Sequence, residues 1–270
     1  MKRKLIFLQW LAAVILVGGA VTGQAASTGE ATEPPVPDAR AVLQKMARQL
    51  AQAPGYSVTI FNDYDAIQQD GQSITFRNKH QVSLQRPGQL RIDATRSDGD
   101  RDMTLFDGKT LTTYKEKDNV YARVEKPGTV DNTVVYMVQD LQMVVPLARL
   151  LLTTLPQELD SLVLSAHYVE KDVLSDTPAD HIVVSLSDVD VQLWVVAGEQ
   201  SLPRKIIITY KHARGQPQFR AEFVDWNLAP VFKPESFVWT PPKGAEQIPF
   251  LAPVRQTPAM QETATEGVAQ

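Results

Sequence analysis

The sequence contains no cysteine. That absence excludes disulfides, thiolate metal sites and a cysteine nucleophile, and it removes the thiol a bacterial lipoprotein acylates just behind its signal. Histidine is almost as scarce: His80, His167, His181 and His212 are the only four, and they lie far apart in the chain. No Gly-x-Ser-x-Gly elbow, His-Glu-x-x-His pair or phosphate-cradling glycine loop is present. Catalytic residues, a metal and a cofactor are therefore not expected, and the chain is not read as an enzyme. Beyond the N-terminus no apolar run reaches membrane-spanning length, so a soluble product without a stable membrane anchor is expected.

What stands at the N-terminus is an export signal. Lys2, Arg3 and Lys4 precede an apolar run from Leu5 to Val17, and small residues follow at Gly23, Ala25 and Ala26. A basic start, a short apolar stretch and a small-residue exit predict a signal peptide over 1–25, cleaved near Ala25, and a periplasmic destination. Its loss takes three of 27 basic residues and none of the 31 acids, leaving 24 against 31 and a charge near −7. A surface of that sign disfavours nucleic acid, whose phosphates need a basic partner.

Low-complexity composition marks a disordered linker over 26–37 and a disordered tail over 251–270, with a single domain predicted over 38–250. It opens with a helix: Ala39, Val42, Leu43, Met46 and Leu50 recur at three- and four-residue steps behind Asp38, a cap residue. After Pro54-Gly55 the period becomes two, and the first hairpin is expected to pair Val58 with Leu84, Ile60 with Val82, Asn62 with His80 and Tyr64 with Asn78 around Gly71. Further alternating segments follow at short intervals, closing with a strand near Phe237–Thr240. Two or three short helices interrupt them between Thr129 and Leu162, with Pro146 and Pro156 each expected to open one. The outward residues (Arg91, Asp93, Arg123, Glu125, Asp190, Gln192) are polar, so one sheet face is expected to be wet and the other covered by the helices. A strongly curved antiparallel sheet of about 10–11 strands with helices in its concavity is the economical arrangement.

Three features invite a functional reading beside a plain one. Asp98, Asp100 and Asp102 begin like a calcium loop, but Met103 stands where that loop needs glycine and Lys109 where it needs glutamate, so a solvated hairpin turn is expected. Asn62 and His80 interrupt an apolar face; they form either an internally satisfied network or a site that orients the polar head of an apolar ligand. The stretch from Leu141 to Leu155 is either ordinary core or a movable lid over a cavity, and Arg149 within it suits a partly exposed cover.

Tyr64-Asp65, Arg86-Pro87 with Leu90-Arg91, Asp107-Gly108-Lys109-Thr110-Leu111, Val120-Tyr121-Ala122, Leu202-Pro203-Arg204-Lys205, Trp226-Asn227 and Phe237 with Pro241-Pro242-x-Gly244-Ala245 occur in this order. In that order they resemble a family of predicted periplasmic proteins of unknown function, similar to the LolA/LolB-like lipoprotein-carrier superfamily, over about Asp38 to Phe250. In that family an acid stands where this chain has Arg149, so no role transfers to that position. The resemblance implies a mainly β fold: a half-open, strongly curved antiparallel β-barrel with helices over its mouth and an apolar cavity that accepts acyl chains. On that reading the strands line the cavity with Ile60, Asn62, Tyr64, Phe76, His80, Val82, Ile92, Leu193 and Phe223, and the helical segment with Leu141, Leu147 and Leu151.

The expected function is a soluble periplasmic carrier of a lipid-like or hydrophobic ligand, its partner an acyl lipid or a lipoprotein. The alternative is an envelope interaction or stress-sensing module that uses the same fold to bind an envelope protein without lipid cargo. Fold alone does not decide between them.

Overall fold

The computed structural model describes residues 36–250, Val144 and Pro146 excepted. The expected signal peptide, all but the end of the 26–37 linker, the 251–270 tail and the proline expected to open a helix at 146 lie outside the described residues.

Helix α1 (Ala39–Gln52) starts where Asp38 accepts a hydrogen bond from the Arg40 N–H at 2.9 Å, satisfying one of the free donors of the first turn. Its apolar stripe of Leu43, Met46, Ala47 and Leu50 is buried. Eleven strands follow: β1 (Gly55–Ile67), β2 (Ser73–Gln85), β3 (Gln89–Arg96), β4 (Arg101–Phe106), β5 (Thr110–Lys115), β6 (Val120–Glu125), β7 (Ser165–Asp172), β8 (Ala179–Ser185), β9 (Val189–Val196), β10 (Pro203–Tyr210) and β11 (Gln218–Asn227). Between β6 and β7 lie α2 (Val130–Gln139), a 3-10 turn (Ala148–Leu151) and α3 (Leu155–Leu162), the last with Pro156 in its first turn.

One sheet holds every strand, in the order β6-β5-β4-β3-β2-β1-β11-β10-β9-β8-β7, and a two-residue β12 (Glu246–Gln247) adds to β6 in parallel. All other pairs are antiparallel, and the two outer strands do not meet, so the barrel stays half open. Asp102 on β4 and Ile208 on β10 are five strand spacings apart in that order, roughly 24 Å in a flat sheet, yet both line one cavity. The sheet is therefore strongly curved, with α1, α2 and α3 on its concave side.

Three expectations are corrected. The first hairpin pairs Val58 with Val82, Ile60 with His80, Asn62 with Asn78 and Tyr64 with Phe76, two residues away from the expected register. The turn is centred on Asp70, whose carboxylate accepts the Gln72 N–H at 2.9 Å while Gln68 and Gln72 close the loop, rather than on Gly71. A two-residue shift keeps every side chain on its face, so the apolar set still points inward. Secondly, Phe237–Thr240 is not a strand: Pro234–Phe237 forms a 3-10 turn, and the strand of this region is β12.

Thirdly, the convex face is not uniformly wet. Phe237 buries itself against Met103 and Leu105 on the outer side of β4, with Phe232, Tyr114 and Trp239 packed around them. Arg123 lies over both Tyr121 and Trp239 at 5.3 Å and donates to the Trp239 carbonyl. The chain after β11 thus crosses β3 to β6 on the outside, and Arg91 donates to the Ser236 carbonyl beneath it. The acidic turn behaves as a turn: Asp98 accepts the Asp100 N–H, and Arg96 and Lys117 hold Asp100, with Arg96 also on Asp102.

Phe106 is fully buried in the main core, so Phe106→Ala should cost roughly 3–5 kcal/mol. Val224, 38% exposed on the convex side of β11, should lose no more than about 0.5 kcal/mol on truncation to Ala. Urea unfolding midpoints of the two variants check the contrast.

Candidate functional site

The register of β1 to β5 sorts the concave face into rows. Deepest is Tyr56, Leu84, Leu90, Phe106 and Leu111, all buried and apolar apart from one phenol. Next come Val58, Val82, Ile92, Thr104 and Thr113, then Ile60, His80, Ala94, Asp102 and Lys115, and last Asn62, Asn78 and Arg96. Polarity therefore rises from one end of the strands to the other. Across β11 to β8 the continuation of the Asn62 row is Ala221, Ile206, Leu193 and Ile182, apolar throughout.

Two cavities, of about 500 and about 1060 Å³, lie over this face. The smaller runs over the β1–β5 rows from Tyr56 to Asn62 and Lys115; the larger is bounded by β8–β11 together with α1, α2 and α3. They meet at Asn62, His80, Ala94 and Asp102, beneath Met143, Val145, Leu147 and Leu150 of the segment joining α2 to α3. Val135 and Val138 of α2, 40% and 43% exposed, line the larger cavity instead of packing against protein.

The covering segment is tied at its ends. The Met143 N–H donates to the Met137 carbonyl at 2.8 Å, and Tyr56 donates its hydroxyl to the Leu150 carbonyl at 3.2 Å. Arg86 donates to the carbonyls of Ala53 and Leu151 and pairs with Asp131 at 3.2 Å, while Asp131 accepts the Thr153 N–H. Burial pushes the Tyr56 phenol above its usual range, so it remains a donor. Between α2 and the 3-10 turn, Gln142 and Leu147 hold positive φ angles of 51° and 59°, a strained conformation for side chains with a Cβ. Arg149 points outward, 61% exposed, and pairs with Glu158 of α3, so the segment is a cover with a wet outer and an apolar inner side.

Of the residues predicted from sequence, Ile60, Asn62, His80, Val82, Ile92, Leu141, Leu147, Leu151 and Phe223 are brought together around the smaller cavity. Tyr64 and Leu193 lie on the larger one. Phe76 lines neither: it stands 42% exposed on β2, stacked on Tyr64 at 5.6 Å. Sequence reading missed Trp226, whose ring stacks on Phe223 and meets Tyr56 edge-on in the cavity wall. Even-numbered Trp226 belongs by alternation to the face opposite Phe219 and Phe223. A bulge at Asp225, φ 56°, shifts the β1–β11 pairing between Thr59–Val224 and Ser57–Asn227 and turns the indole inward. No local signal announces that flip.

Electrostatically the site has a fixed rim and a polar node. At the rim Arg220 grips Asp65 with two hydrogen bonds, at 3.0 and 2.9 Å, and holds its carboxyl below the usual carboxylate range. At the node, Asn62 is 1% exposed, and neither its amide nitrogen nor its amide oxygen has a partner among the described residues. His80 Nε2 is likewise buried and unpaired, and burial lowers the imidazole pKa, keeping the ring neutral. The internally satisfied network that the sequence left open is thus not formed by protein groups among the described residues.

The model of a family described as predicted periplasmic protein (DUF2092) matches residues 39–251. Sequence comparison with curated proteins finds no match. Among solved structures, the chain is similar to an uncharacterized conserved protein from Thermus thermophilus, at 10% identity and a TM-score of 0.45, over 78% of this chain and 98% of that one. It is similar to the lipoprotein LppX from Mycobacterium tuberculosis at 12% identity and a TM-score of 0.43, over 72% and 99% of the two chains. A LolA superfamily protein from Nitrosomonas europaea follows at 11% identity and a TM-score of 0.35, over 74% and 97%. No helix among the described residues is long and apolar enough to cross a membrane.

The lowered pKa of His80 fixes a pH dependence. An unfolded histidine takes up its proton near pH 6.5 while the folded one resists, so the unfolded state binds more protons just below that value. Stability should hold above pH 6.5, fall as the pH drops below it, and level off beneath the lowered folded pKa. His80→Gln should flatten the decline, as read from unfolding free energies between pH 7.5 and about 5.5.

Proposed function

The chain belongs to the DUF2092 family of predicted periplasmic proteins, and on that premise we propose that it binds and carries a lipid-like hydrophobic ligand in its concave cavities after export and removal of residues 1–25. One observation carries this reading: apolar side chains on the sheet and on α2 line a cavity of about 1060 Å³ instead of packing against one another. A native core packs its apolar groups to near-crystalline density, so a covered apolar hollow of this size suits a guest. Sites for small ligands are of this kind, mostly apolar with a few polar groups. Each methylene taken from water into the hollow would contribute roughly 0.8 kcal/mol.

Release follows from the same geometry. The cover between α2 and α3 is held at Met143 and at Leu150–Leu151, with two strained backbone positions between α2 and the 3-10 turn. A carrier needs such an element to open without unfolding the sheet. At the node the Asp102 carboxylate is engaged by Arg96 and the His80 imidazole is neutral and buried, an arrangement that favours binding over turnover. A second reading, an envelope protein as partner, is favoured by Val169, Val173 and Leu174, exposed at 49%, 65% and 97% on or just beyond the outer strand β7.

Native mass spectrometry of protein purified without detergent should show a bound lipid-like mass, and the protein should take up the apolar dye N-phenyl-1-naphthylamine. Leu193→Trp and Ile92→Trp, each filling one cavity, should lower uptake roughly tenfold, as steric loss of about 1.4 kcal/mol of binding would. Absence of both bound mass and dye uptake overturns the carrier reading. A stoichiometric protein partner captured from envelope extract without lipid would put the second reading in its place.

A further inference from the structure

Resting on the carrier reading, we infer that Asn62 and His80 form a subsite for a neutral acyl carbonyl, the ester or amide linkage at which an acyl chain joins its head, with the chain itself in an apolar cavity. Three observations converge on these two residues.

The first is unsatisfied chemistry. A buried amide without a partner is destabilising, and Asn62 leaves both its donor and its acceptor unpaired among the described residues at 1% exposure. Asn62 sits beside the His80 row, since Asn62 pairs with Asn78 and Ile60 with His80 on the neighbouring strand. Together they offer a donor and an acceptor within one patch, beside the carboxylate of Asp102 that Arg96 engages. An ester or amide carbonyl takes the donor, and an amide N–H or a glycerol hydroxyl gives to the acceptor.

The second is position. Asn62 and His80 line both cavities, so they stand where the β1–β5 lobe and the β8–β11 lobe join. On one side lie Val58, Val82 and Ile92; on the other Leu193, Ile206 and Ile208. A chain can run into either lobe from a linkage held at the junction, and from Asp102 at the junction the polar groups continue to Lys115 on one cavity and Arg96 on the other for the head.

The third is charge. Arg96 is engaged by Asp102 and Asp100, Arg220 by Asp65 and Arg149 by Glu158, burial keeps His80 neutral, and Lys115, the other basic side chain on the cavity, is exposed three strands away from His80. A carboxylate placed against Asn62 would be buried without a counterion, which costs far more than a buried carbonyl. The node therefore selects a neutral linkage over a free fatty acid.

The experiment is displacement of N-phenyl-1-naphthylamine from the purified protein by four single-chain probes of equal chain length: monopalmitoylglycerol (ester), N-palmitoylethanolamine (amide), 1-O-hexadecylglycerol (ether, no carbonyl) and palmitate (charged). Wild type should bind the ester or the amide at least roughly tenfold more tightly than the ether and palmitate, the discrimination of about one buried hydrogen bond. Preference for the ester assigns a glycerolipid source, and preference for the amide an N-acylated one. Asn62→Leu should bring ester and amide down to the ether's affinity in the same variant, the ether itself losing less because it has no carbonyl to take the Asn62 donor. Its melting temperature should stay level or rise, because an unpaired polar group has been replaced by an apolar one of similar size. His80→Leu repeats the test from the adjacent strand.

Equal competition by ester, amide and ether overturns the subsite and reassigns Asn62 and His80 to bound water, with the carrier reading intact. A large drop in melting temperature for both variants overturns it in favour of a structural role. Failure of every probe and of the dye overturns the carrier reading itself.

Discussion

Everything else in this structure depends on a sheet that curves strongly and does not close. Closure would let opposite strands fill the interior with each other's side chains; here β7 and the β6–β12 edge stay apart, and the concave apolar face must be covered by other elements. Those elements are short. Helix α1 buries a full stripe against the β7–β9 half, and α2, the 3-10 turn and α3 bury Val130, Val134, Met137, Leu151 and Leu155 in the core, while Val135 and Val138 of α2 are left facing the larger cavity. The hollow beneath is thus a consequence of helices too few and too short for the surface they cover.

Much of this was legible in the sequence because it is written locally. The 3.6-residue stripe behind Asp38, the alternation from Tyr56 to Ile60 and the Asp-Gly turns each depend on neighbours a few residues away. Even the mistaken register of the first hairpin left the faces right, since a shift of two preserves parity. Arg149 betrayed a cover with a wet side, because a long charged side chain is seldom buried unpaired.

What was not legible is decided by contacts far apart in sequence. Trp226 enters the cavity because β1 imposes a bulge on β11, and nothing within β11 says so. Phe237 to Thr240 has the composition of a strand, yet it faces the convex side of β4, where Met103 and Leu105 offer an apolar patch and no unpaired strand edge. Phe76 looks like a cavity residue by parity, but β1 and β2 run past the covered region, so the outer end of the hairpin meets water. Alternation tells which face a residue takes; it does not tell how far along a strand the cover reaches.

The polar node sharpens the distinction between a hollow and a site. An apolar cavity alone would bind any greasy molecule that fits, because the hydrophobic effect is non-directional. Selection for foldedness alone would also favour an aliphatic residue at position 62, where the buried amide has no partner among the described residues. Asn62 is thus a cost that no described residue offsets, and its return comes from what enters the cavity. A bound water would recover part of it, since Asn62, His80 and Asp102 converge at the junction. A linkage carried in by an acyl chain brings its own positioning energy from the methylenes around it. The same interaction that fills the hollow would then hold its polar atom against Asn62.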